Sequence, residues 1–480
     1  YRTESAESFN YSFLIDAFAP PADSTATEES ASSSPEIVIG DIHLSNFDLK
    51  YQDGLQGMNA SLKLGELDLQ IESLDLETFA FKLDELSMAN TQIEYELSKE
   101  VQSTTSADES SSPVQLPSLF VGKLSLENVS MNYKSIPDYA DATVDIGELQ
   151  MVLPSADLNA QKIVLDEFVF NNSKISWRQT PPETNQIQRS EEPEAEAENL
   201  VFEWPGWEVE AGSISLNNNQ VILQTANTYL NPGVFNPQWI NLQNLTFEAD
   251  DISLMPGRAT FNLEDFSFRE RSGFLLEKFA FDLVASDNEI SINELDFASA
   301  RNLLSGDIQL HYSSISDFIN APESASLDLN LTQLRVDLTE ASAFSPELVK
   351  NEYLQKLSQK ELRGKIDVQG KLGNFDITQL EMQWGEQTAL EMKGQVQNAL
   401  DMETLEAKFE SLRIQSTKSD ITQFIDETAL GLNLPEEVLL AGKASGSLNS
   451  AQADLSLGTT LGNIDINGQF SQSEPMGFKA

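Results

Sequence analysis

Few side chains of this 480-residue chain have the types and spacing that catalysis needs. Its two histidines, His43 and His311, alternate with apolar residues on predicted strands, and neither has a partner constellation for a catalytic or metal role. Acidic pairs such as Asp84-Glu85 and Asp250-Asp251 have the residue types of a two-carboxylate glycosidase site, but nothing singles out one pair. We therefore predict that the chain is not an enzyme.

Other forms of site chemistry have no counterpart in the sequence. The chain has no cysteine, which excludes disulfides, thiolate nucleophiles and Cys-ligated metals. It also has no phosphate-binding glycine loop, no calcium loop and no Gly-x-Ser-x-Gly motif. We predict no cofactor and no metal ion.

The charge balance limits the possible partners. With 29 basic and 77 acidic residues the formal net charge is -48, so nucleic acid and anionic membrane surfaces would repel the chain. We predict no nucleic-acid partner. No stretch approaches the roughly 18 to 20 apolar residues of a membrane helix.

The strongest pattern is an internal duplication, which aligns residues 35–95 with residues 117–177 without a gap at an offset of 82. A copied unit is typical of repeat architectures, in which neighbouring units stack. The matched identities include Gly40/Gly122, Asn46/Asn128, Tyr51/Tyr133, Ala60/Ala142, Gly65/Gly147, Leu67/Leu149, Asn90/Asn172 and Ile93/Ile175. A worn third copy follows near Val209 to Leu223.

Within each copy a shorter phrase recurs, apolar-x-apolar-x-x-apolar-x-apolar, as at Leu62/Leu64/Leu67/Leu69, and it continues to Met382. Alternation with period two predicts half-buried strands. The x-x step would turn the apolar side chains to the opposite face, so each step requires a bulge, a corner or a turn. Dipeptides such as Gly-Glu and Asp-Glu favour bulges or bends over two-residue hairpins.

The predicted fold is all-β. It is an elongated, curled, mostly antiparallel repeat sheet that forms a U-shaped apolar groove with one or two short helices, and a closed solenoid would instead have shorter and more regular coils. The expected organisation is an N-terminal segment and disordered linker (1–34), repeat 1 (35–98), a Ser/Glu-rich linker (99–116), repeat 2 (117–178), an acidic Pro/Glu linker (179–200), degenerate repeats (201–343), a short helix (344–360) and Gly-punctuated repeats (361–480) that include a short helix near 419–430.

Both helices are interpreted as lids or plugs on the sheet. For the first, Ser345 is the expected N-cap and Pro346 fits the first helical position. Four aromatic residues, Tyr51, Tyr95, Tyr133 and Trp177, follow the phrase start by fourteen positions. We interpret them as caps on the edge of the apolar face, with ligand stacking as the alternative.

One apolar face of this length offers acyl chains a path through water, because each buried methylene is worth about 0.8 kcal/mol. Ordinary core packing is the alternative for any one of the lining residues. The predicted lining comprises Leu44, Phe47, Leu49, Leu67, Leu69, Leu126, Val129, Met131, Leu149, Met151, Leu165, Phe168 and Phe170.

The phrases Ile39 to Tyr51, Leu62 to Leu69 and Leu362 to Leu372 resemble the AsmA-like superfamily of bridge-like lipid transfer proteins, and within it the translocation and assembly module proteins. The resemblance implies a β-taco groove in the periplasm of diderm bacteria, tethered to the inner membrane by an N-terminal helix that this chain lacks. It also implies phospholipid transport between the membranes and a TamA-like, Omp85-type outer-membrane barrel as partner, contacted through regions not in this chain. We expect the native protein to continue past Ala480.

Two other functions remain open from the sequence. One is a scaffold for outer-membrane protein assembly, in which exposed strand edges accept client strands. The other is a surface β-solenoid adhesin, which predicts a closed cross-section and outward-facing aromatic side chains.

Overall fold

The structure is a computed structural model, and its contacts divide the chain into two units. The first unit holds residues 1–190, 206–230 and 236–252, and the second holds 191–205, 231–235 and 253–480. The structure describes residues 1–2, 40–75, 80–99, 116–181, 202–226, 233–341, 343–344, 351–427, 431, 433–447, 449–471 and 477–479. Of the linker segments expected at 1–34, 99–116 and 179–200, residues 3–34, 100–115 and 182–200 lie outside the described residues.

The predicted all-β fold is confirmed, since each unit is a mostly antiparallel sheet. Strands of the first unit are long, many of them 18 residues, because the apolar alternation continues through each x-x step. They are β1 (Ile42–Asp53), β2 (Met58–Asp75), β3 (Ala80–Leu97), β4 (Ser118–Ser135), β5 (Ala140–Asp157), β6 (Lys162–Asn171), β7 (Lys174–Gln179), β8 (Glu208–Gln224) and β9 (Trp239–Met255), the last of which belongs to this unit up to Ile252.

The offset of 82 seen in the sequence is an offset between strands. β5 begins and ends 82 residues after β2, and β6 with β7 covers the positions 82 residues after β3. Within a copy the strands are antiparallel, whereas the copies meet through parallel pairs, β3 with β4 and both β6 and β7 with β8. Parallel neighbours need a long connection, which explains why a linker separates successive copies.

A corner at an Asn of the repeat lies in β1, β3, β4 and β8 and between β6 and β7. Asn46, Asn90, Asn128, Asn172 and Asn218 all have φ between 51° and 56°, a left-handed conformation that Asn tolerates better than most residues. These Asn residues stand two positions after the last apolar residue of the phrase, where no bend was predicted. The irregularity predicted at an x-x step is seen in β4, where the register shifts between Val121 and Leu124. The middle strand of each copy has a glycine at this row, and a Cβ on Gly147 would lie 2.6 Å from the carbonyl oxygen of Asn172.

A second corner lies further toward the start of β4. A Cβ on Gly122 would lie 2.6 Å from the carbonyl oxygen of Asp84, and Gly212 stands in the same relation to Asp166, at 2.5 Å. Val121, Leu153 and Ala156 are buried here and pack with half-buried neighbours such as Leu83. Burial concentrates on the apolar side of the corners, so the strands bend toward their apolar face.

The inner side of the Asn corner also buries polar groups, and each has a partner. Ser173 Oγ donates to the carbonyl of Asn171 at 2.8 Å, and the Ser173 N–H donates to Asn219 Oδ1 at 2.9 Å. Asn219 Nδ2 in turn donates to the carbonyl of Phe170 at 2.7 Å. These bonds satisfy backbone groups that the bend removes from the ladder.

Strands of the second unit are shorter and pair antiparallel with the next strand along the chain. Most have a register shift near their middle, as between Ile377 and Leu380. They are β10 (Arg258–Glu270), β11 (Leu275–Ser286), β12 (Glu289–Ser299), β13 (Leu303–His311), β14 (Ser326–Val336), β15 (Leu362–Lys371), β16 (Asn374–Trp384), β17 (Thr388–Gln397), β18 (Glu406–Thr417), β19 (Glu437–Ser447), β20 (Ser450–Thr459), β21 (Gly462–Ser471) and β22 (Gly477–Lys479).

Four short α-helices lie within the described ranges, all in the second unit. They are α1 (Ile315–Asn320), α2 (Leu338–Ala341), α3 (Glu352–Leu357) and α4 (Lys418–Ile421), and a 3-10 turn spans Pro322–Ser324. None of the described helices is long and apolar enough to cross a membrane.

The helix expected at 344–360 differs from α3 at its start. Asn351 is the N-cap, and its side chain accepts hydrogen bonds from the N–H groups of Tyr353 and Leu354, at 2.9 and 3.2 Å. Because Asn351 itself has extended dihedral angles, no helix runs through it; Ser345 and Pro346 lie outside the described residues. The helix expected at 419–430 is also shorter, ending at Ile421.

Helices α3 and α4 meet around Trp384 at one end of the strands of the second unit. The Trp384 indole N–H donates to the carbonyl of Leu357 at 2.7 Å, and its ring packs edge-on against Phe424 at 5.4 Å. Lys360 lies over the same ring and pairs with the buried Asp420, which also accepts a hydrogen bond from Thr388 at 2.7 Å. These contacts hold both helices on the end of the sheet.

Candidate functional site

The register of the first unit aligns its apolar side chains into continuous rows. One row crosses seven strands, from β1 to β6 and on to β8, with one residue from each. Residues that face each other across neighbouring strands share a face of the sheet. The row consists of Leu44, Leu67, Met88, Leu126, Leu149, Phe170 and Leu216.

Parallel rows contain the other predicted lining residues. Leu69, Met151 and Phe168 stand in a row with Ile42, Leu86, Leu124 and Ile214. Leu49 and Met131 stand in a row with Leu62, Ile93, Val144, Ile175 and Val221. Phe47 faces Leu64, Val129 faces Ile146, and Leu165 faces Ala211. All thirteen predicted positions therefore belong to aligned rows of the first unit.

These rows are only half covered. Most of the row residues are of intermediate burial, and Leu44, Phe47, Leu49 and Met131 are exposed, whereas Val129 at the corner is only 6% exposed. Among the described elements, the substantial backbone contacts of β1 to β8 are all between neighbours in the sheet. An apolar face of this extent is unusual for a protein surface that binds nothing.

The second unit has equivalent rows. One of them crosses eleven strands, from β11 to β21, with a glycine at one position. Its members are Phe279, Phe297, Leu304, Leu334, Gly364, Met382, Leu390, Ile414, Leu440, Leu457 and Ile464. Sequence reasoning did not place these residues in the lining, although several belong to the same apolar phrase.

The alternate face of the first unit has the charges. Lys123 pairs with Glu85 at 3.4 Å, and Lys162 pairs with Glu208 at 3.3 Å, both across parallel strand pairs. His43 also lies on this face, where its Nδ1 is 2.5 Å from Asp68 Oδ1. The hydrogen bond and charge of Asp68 raise the pKa of His43. The two residues face each other across β1 and β2.

The aromatic residues of the repeat form one further row, at the end of the strands beyond the Asn corner. Tyr95 and Tyr133 stack with ring centroids 5.7 Å apart and planes 7° apart, and Tyr133 stacks on Trp177 at 6.4 Å and 9°. We call these three residues the aromatic ladder. Ala142 faces both Tyr133 and Trp177 across the strand pairs, and its small side chain leaves room for the two rings to meet.

The stacking of these rings explains why Ala60 of copy 1 is matched by Ala142 in copy 2. Ala60 faces Tyr51 and Tyr95 in copy 1 as Ala142 faces its two aromatic neighbours in copy 2. Because the rings stack on one another, their faces are mostly covered and their edges remain accessible. This geometry favours the edge-capping interpretation over stacking of a ligand ring between them.

Groups that could perform chemistry are scattered. Among the described residues no three His, Asp or Glu side chains are grouped as a metal site. A polar cluster of described residues lies in the second unit. There Glu340 accepts hydrogen bonds from Ser299 and Asn302, and Arg301 pairs with Asp337 at 3.4 Å. It fastens α2 to the sheet. The aligned apolar face is therefore the candidate functional site.

Comparison with known proteins adds no assignment: no protein-family model matches the chain, and no curated protein or solved structure matches it either.

Proposed function

We propose that this chain is a section of a conduit in which phospholipid acyl chains contact the apolar rows and move from strand to strand. The observation that supports this proposal is the alignment of apolar residues into long, half-exposed rows in both units. An apolar core would bury such residues under a second layer, whereas a groove leaves them for a ligand.

The repeat suits transport better than storage. Successive strands present similar apolar residues about 4.8 Å apart, so neighbouring positions along a row bind an acyl chain with similar free energy. No single position is then a deep trap, and a lipid moves by exchanging contacts with one strand for contacts with the next. Direction would come from a gradient outside these residues.

We further propose the cellular setting that the AsmA-like resemblance implies. The chain would act in the periplasm as part of a bridge between the inner and outer membranes, tethered to the inner membrane through a helix outside these 480 residues. An Omp85-type barrel is the proposed partner at the outer membrane. The charge of -48 suits a bridge that holds lipid by its apolar interior and does not adhere to anionic membrane surfaces along its length.

Lipid binding can be tested on the purified chain. We expect native mass spectrometry and lipid extraction to find co-purifying phospholipid. A photoactivatable amino acid at Leu126, in the middle of the long row, should form adducts with lipid. The matched control is Ser125, the adjacent residue on the alternate face, which should form none. Absence of phospholipid from the chain and of adducts at Leu126 would contradict the proposal.

A second candidate function, a scaffold for outer-membrane protein strands, is favoured by the edge of β1. Leu44 and Phe47 of β1 are 39% and 44% exposed, whereas Val129, the counterpart of Phe47 in β4, is 6% exposed where β3 adjoins it. Polypeptide adducts at Phe47, with no lipid adducts at Leu126, would favour the scaffold.

A further inference from the structure

The Asn corner divides the first unit into two parts that differ in charge. We call the part on the ladder side the ladder wall, and the part on the other side the acidic arm. The ladder wall comprises residues 47–64, 91–99, 129–146, 173–179 and 219–224. The acidic arm comprises residues 41–45, 66–75, 80–89, 118–127, 148–171 and 208–217.

The ladder wall has as many basic as acidic residues when Arg2, paired with Asp53, is included. Its basic residues are Arg2, Lys50, Lys63, Lys99, Lys134, Lys174 and Arg178, and its acidic residues are Asp48, Asp53, Glu94, Glu96, Asp138, Asp141 and Asp145.

The acidic arm has only Lys82, Lys123 and Lys162 as basic residues. Against them stand Asp41, Glu66, Asp68, Glu72, Asp75, Asp84, Glu85, Glu127, Glu148, Asp157, Asp166, Glu167, Glu208 and Glu210. A phosphate at the end of the acidic arm would be repelled, whereas at the ladder wall it would meet a balanced surface.

Basic side chains also adjoin the aromatic row in sequence. Lys134 follows Tyr133, Arg178 follows Trp177, and Lys50 precedes Tyr51, whereas Glu94 and Glu96 flank Tyr95. Because successive side chains of a strand leave opposite faces, these charged groups lie on the alternate face from the rings. Long Lys and Arg side chains can extend past the edge of a sheet while their stems cover apolar surface. Each copy of the repeat therefore supplies at least one cation next to the aromatic row in sequence, and in copy 2 Asp141 faces both Lys134 and Arg178 across the strand pairs.

The ladder itself presents polar edges. The structure shows no protein hydrogen bond for the hydroxyls of Tyr95 and Tyr133 or for the indole N–H of Trp177 within the described residues, and Trp177 is 38% exposed. Amphipathic Tyr and Trp side chains are favoured where one end of a group is apolar and the other is in water. The opposite ends of these strands have Phe81, Leu119 and Ile163 in the corresponding inner row, and none of these side chains has a polar group.

The depth of the ladder wall suits an acyl chain. From Val129 at the corner to Tyr133 at the ladder, four strand residues span about 13 Å. One leaflet of a bilayer has about 15 Å of hydrocarbon, half of the roughly 30 Å core. An acyl chain with its end at the corner would therefore bring its glycerol group close to the ladder.

We propose that a phospholipid in the first unit is oriented, with its phosphate-bearing headgroup at the rim of the ladder wall and its acyl chains toward the Asn corner. This orientation rests on the proposed function, because it requires phospholipid in the groove. The headgroup then lies at the ladder wall, and the acyl chains lie near the Asn corner.

Two photoreactive phosphatidylethanolamine probes can test the orientation on the full chain. One has its diazirine in the headgroup and the other has it at the end of an acyl chain, and mass spectrometry maps the labelled residues. We expect the headgroup probe to label the ladder wall near Tyr133 and Trp177. The acyl probe should label the Asn corner and the apolar residues beside it, near Val129 and Leu126.

Charge reversal supplies the matched control. The double variant Lys134→Glu with Arg178→Glu should reduce headgroup labelling of the ladder wall about five-fold, while Lys162→Glu on the acidic arm should leave it unchanged. Suppose that the acyl probe still labels residues near Val129 and Leu126. Headgroup labelling of the acidic arm, or equal headgroup labelling of the acidic arm and the ladder wall, would then overturn the orientation alone. Absence of labelling by either probe would overturn the orientation and the conduit together.

Discussion

The two units form similar apolar rows with different strand connections. Both align apolar residues into rows on one face, but the first unit joins three-stranded copies through parallel pairs while the second continues as an antiparallel series of neighbours. The first unit bends its long strands twice, with Asn at one corner, and the second bends shorter strands near the middle, often at glycine. The same lining therefore does not depend on one connection pattern.

The difference shows what the apolar face requires. An inward bend must leave successive side chains on the same side, and this can be achieved by an Asn with positive φ or by a glycine that lets two backbones approach. Parallel junctions require long linkers, whereas antiparallel neighbours need only short turns. The common requirement of both units is the bend, and the route between strands is variable.

The largest expected effect comes from filling a corner. A Cβ on Gly147 would lie 2.6 Å from the Asn172 carbonyl oxygen in the first unit, and one on Gly442 would lie 2.1 Å from the Asp454 carbonyl oxygen in the second. We expect Gly147→Val and Gly442→Val each to cost about 3 kcal/mol, since the backbones must separate. Hydrogen exchange should show each loss mainly in the variant's own unit.

The control for these variants is Gly40→Ala, because a Cβ there meets nothing within 4 Å. Its thermal unfolding should match that of the parent chain. Equal loss of protection in both units from one corner variant would show that the units do not unfold separately.

The next effect concerns the helical end of the second unit, which has no counterpart among the described residues of the first. Asp420 is 1% exposed, pairs with Lys360 and accepts a hydrogen bond from Thr388. Asp420→Ala should cost about 2 to 3 kcal/mol in urea unfolding, because a buried pair loses one partner. Glu352→Gln, which breaks the exposed pair with Lys356, should cost less than about 0.5 kcal/mol, and equal costs would refute the role given to burial.

A smaller effect should distinguish the two kinds of corner. Asn128 has φ 54° and donates from its side chain to Asn90 Oδ1 at 2.8 Å. Asn128→Ala should cost about 1 to 2 kcal/mol, because alanine is strained in this conformation, whereas Asn128→Gly should retain most of the stability. Chemical denaturation of both variants measures the difference. A glycine variant as unstable as the alanine variant would show that the amide contact, and not φ, determines the preference.

The smallest effect is electrostatic and belongs to the outer face of the first unit. Asp68 raises the pKa of His43 in the folded chain. The pair therefore contributes stability fully below the unfolded pKa of His43, about 6.5, and loses it as pH rises through the higher folded pKa. NMR titration of His43 in Asp68→Asn should return its pKa toward 6.5, and an unchanged pKa would contradict the pairing.

Much of the first unit was predictable because its information is local. Alternation at Leu62 to Leu69 predicts a strand, and the Gly65-Glu66 step predicts a bend, since both depend on neighbouring residues. The start of α3 was not predictable in the same way. Ser345 and Pro346 have the usual preferences for a helix start, yet Asn351 supplies the observed N-cap.

The candidate site also has residues that the sequence identified and residues that it did not. Leu126 and Phe170 were identified as lining by their place in the phrase, and the register places them in one row through Leu149. The equivalent row in the second unit contains Leu390 and Ile414, which sequence reasoning left out. Their pairing depends on how far β17 is shifted against β18, which is a property of two strands together.

The sequence by itself determined the repeat of 82 residues, the one-sided apolar alternation and the irregularities at the x-x steps. These follow from steric preferences that act over a few residues. Only the tertiary structure decided that copies meet in parallel, that Ala142 lets Tyr133 and Trp177 stack, and that the apolar residues of separate strands form continuous rows. Register between strands is set by hydrogen bonds and packing across the sheet, so it becomes definite only when the strands pair.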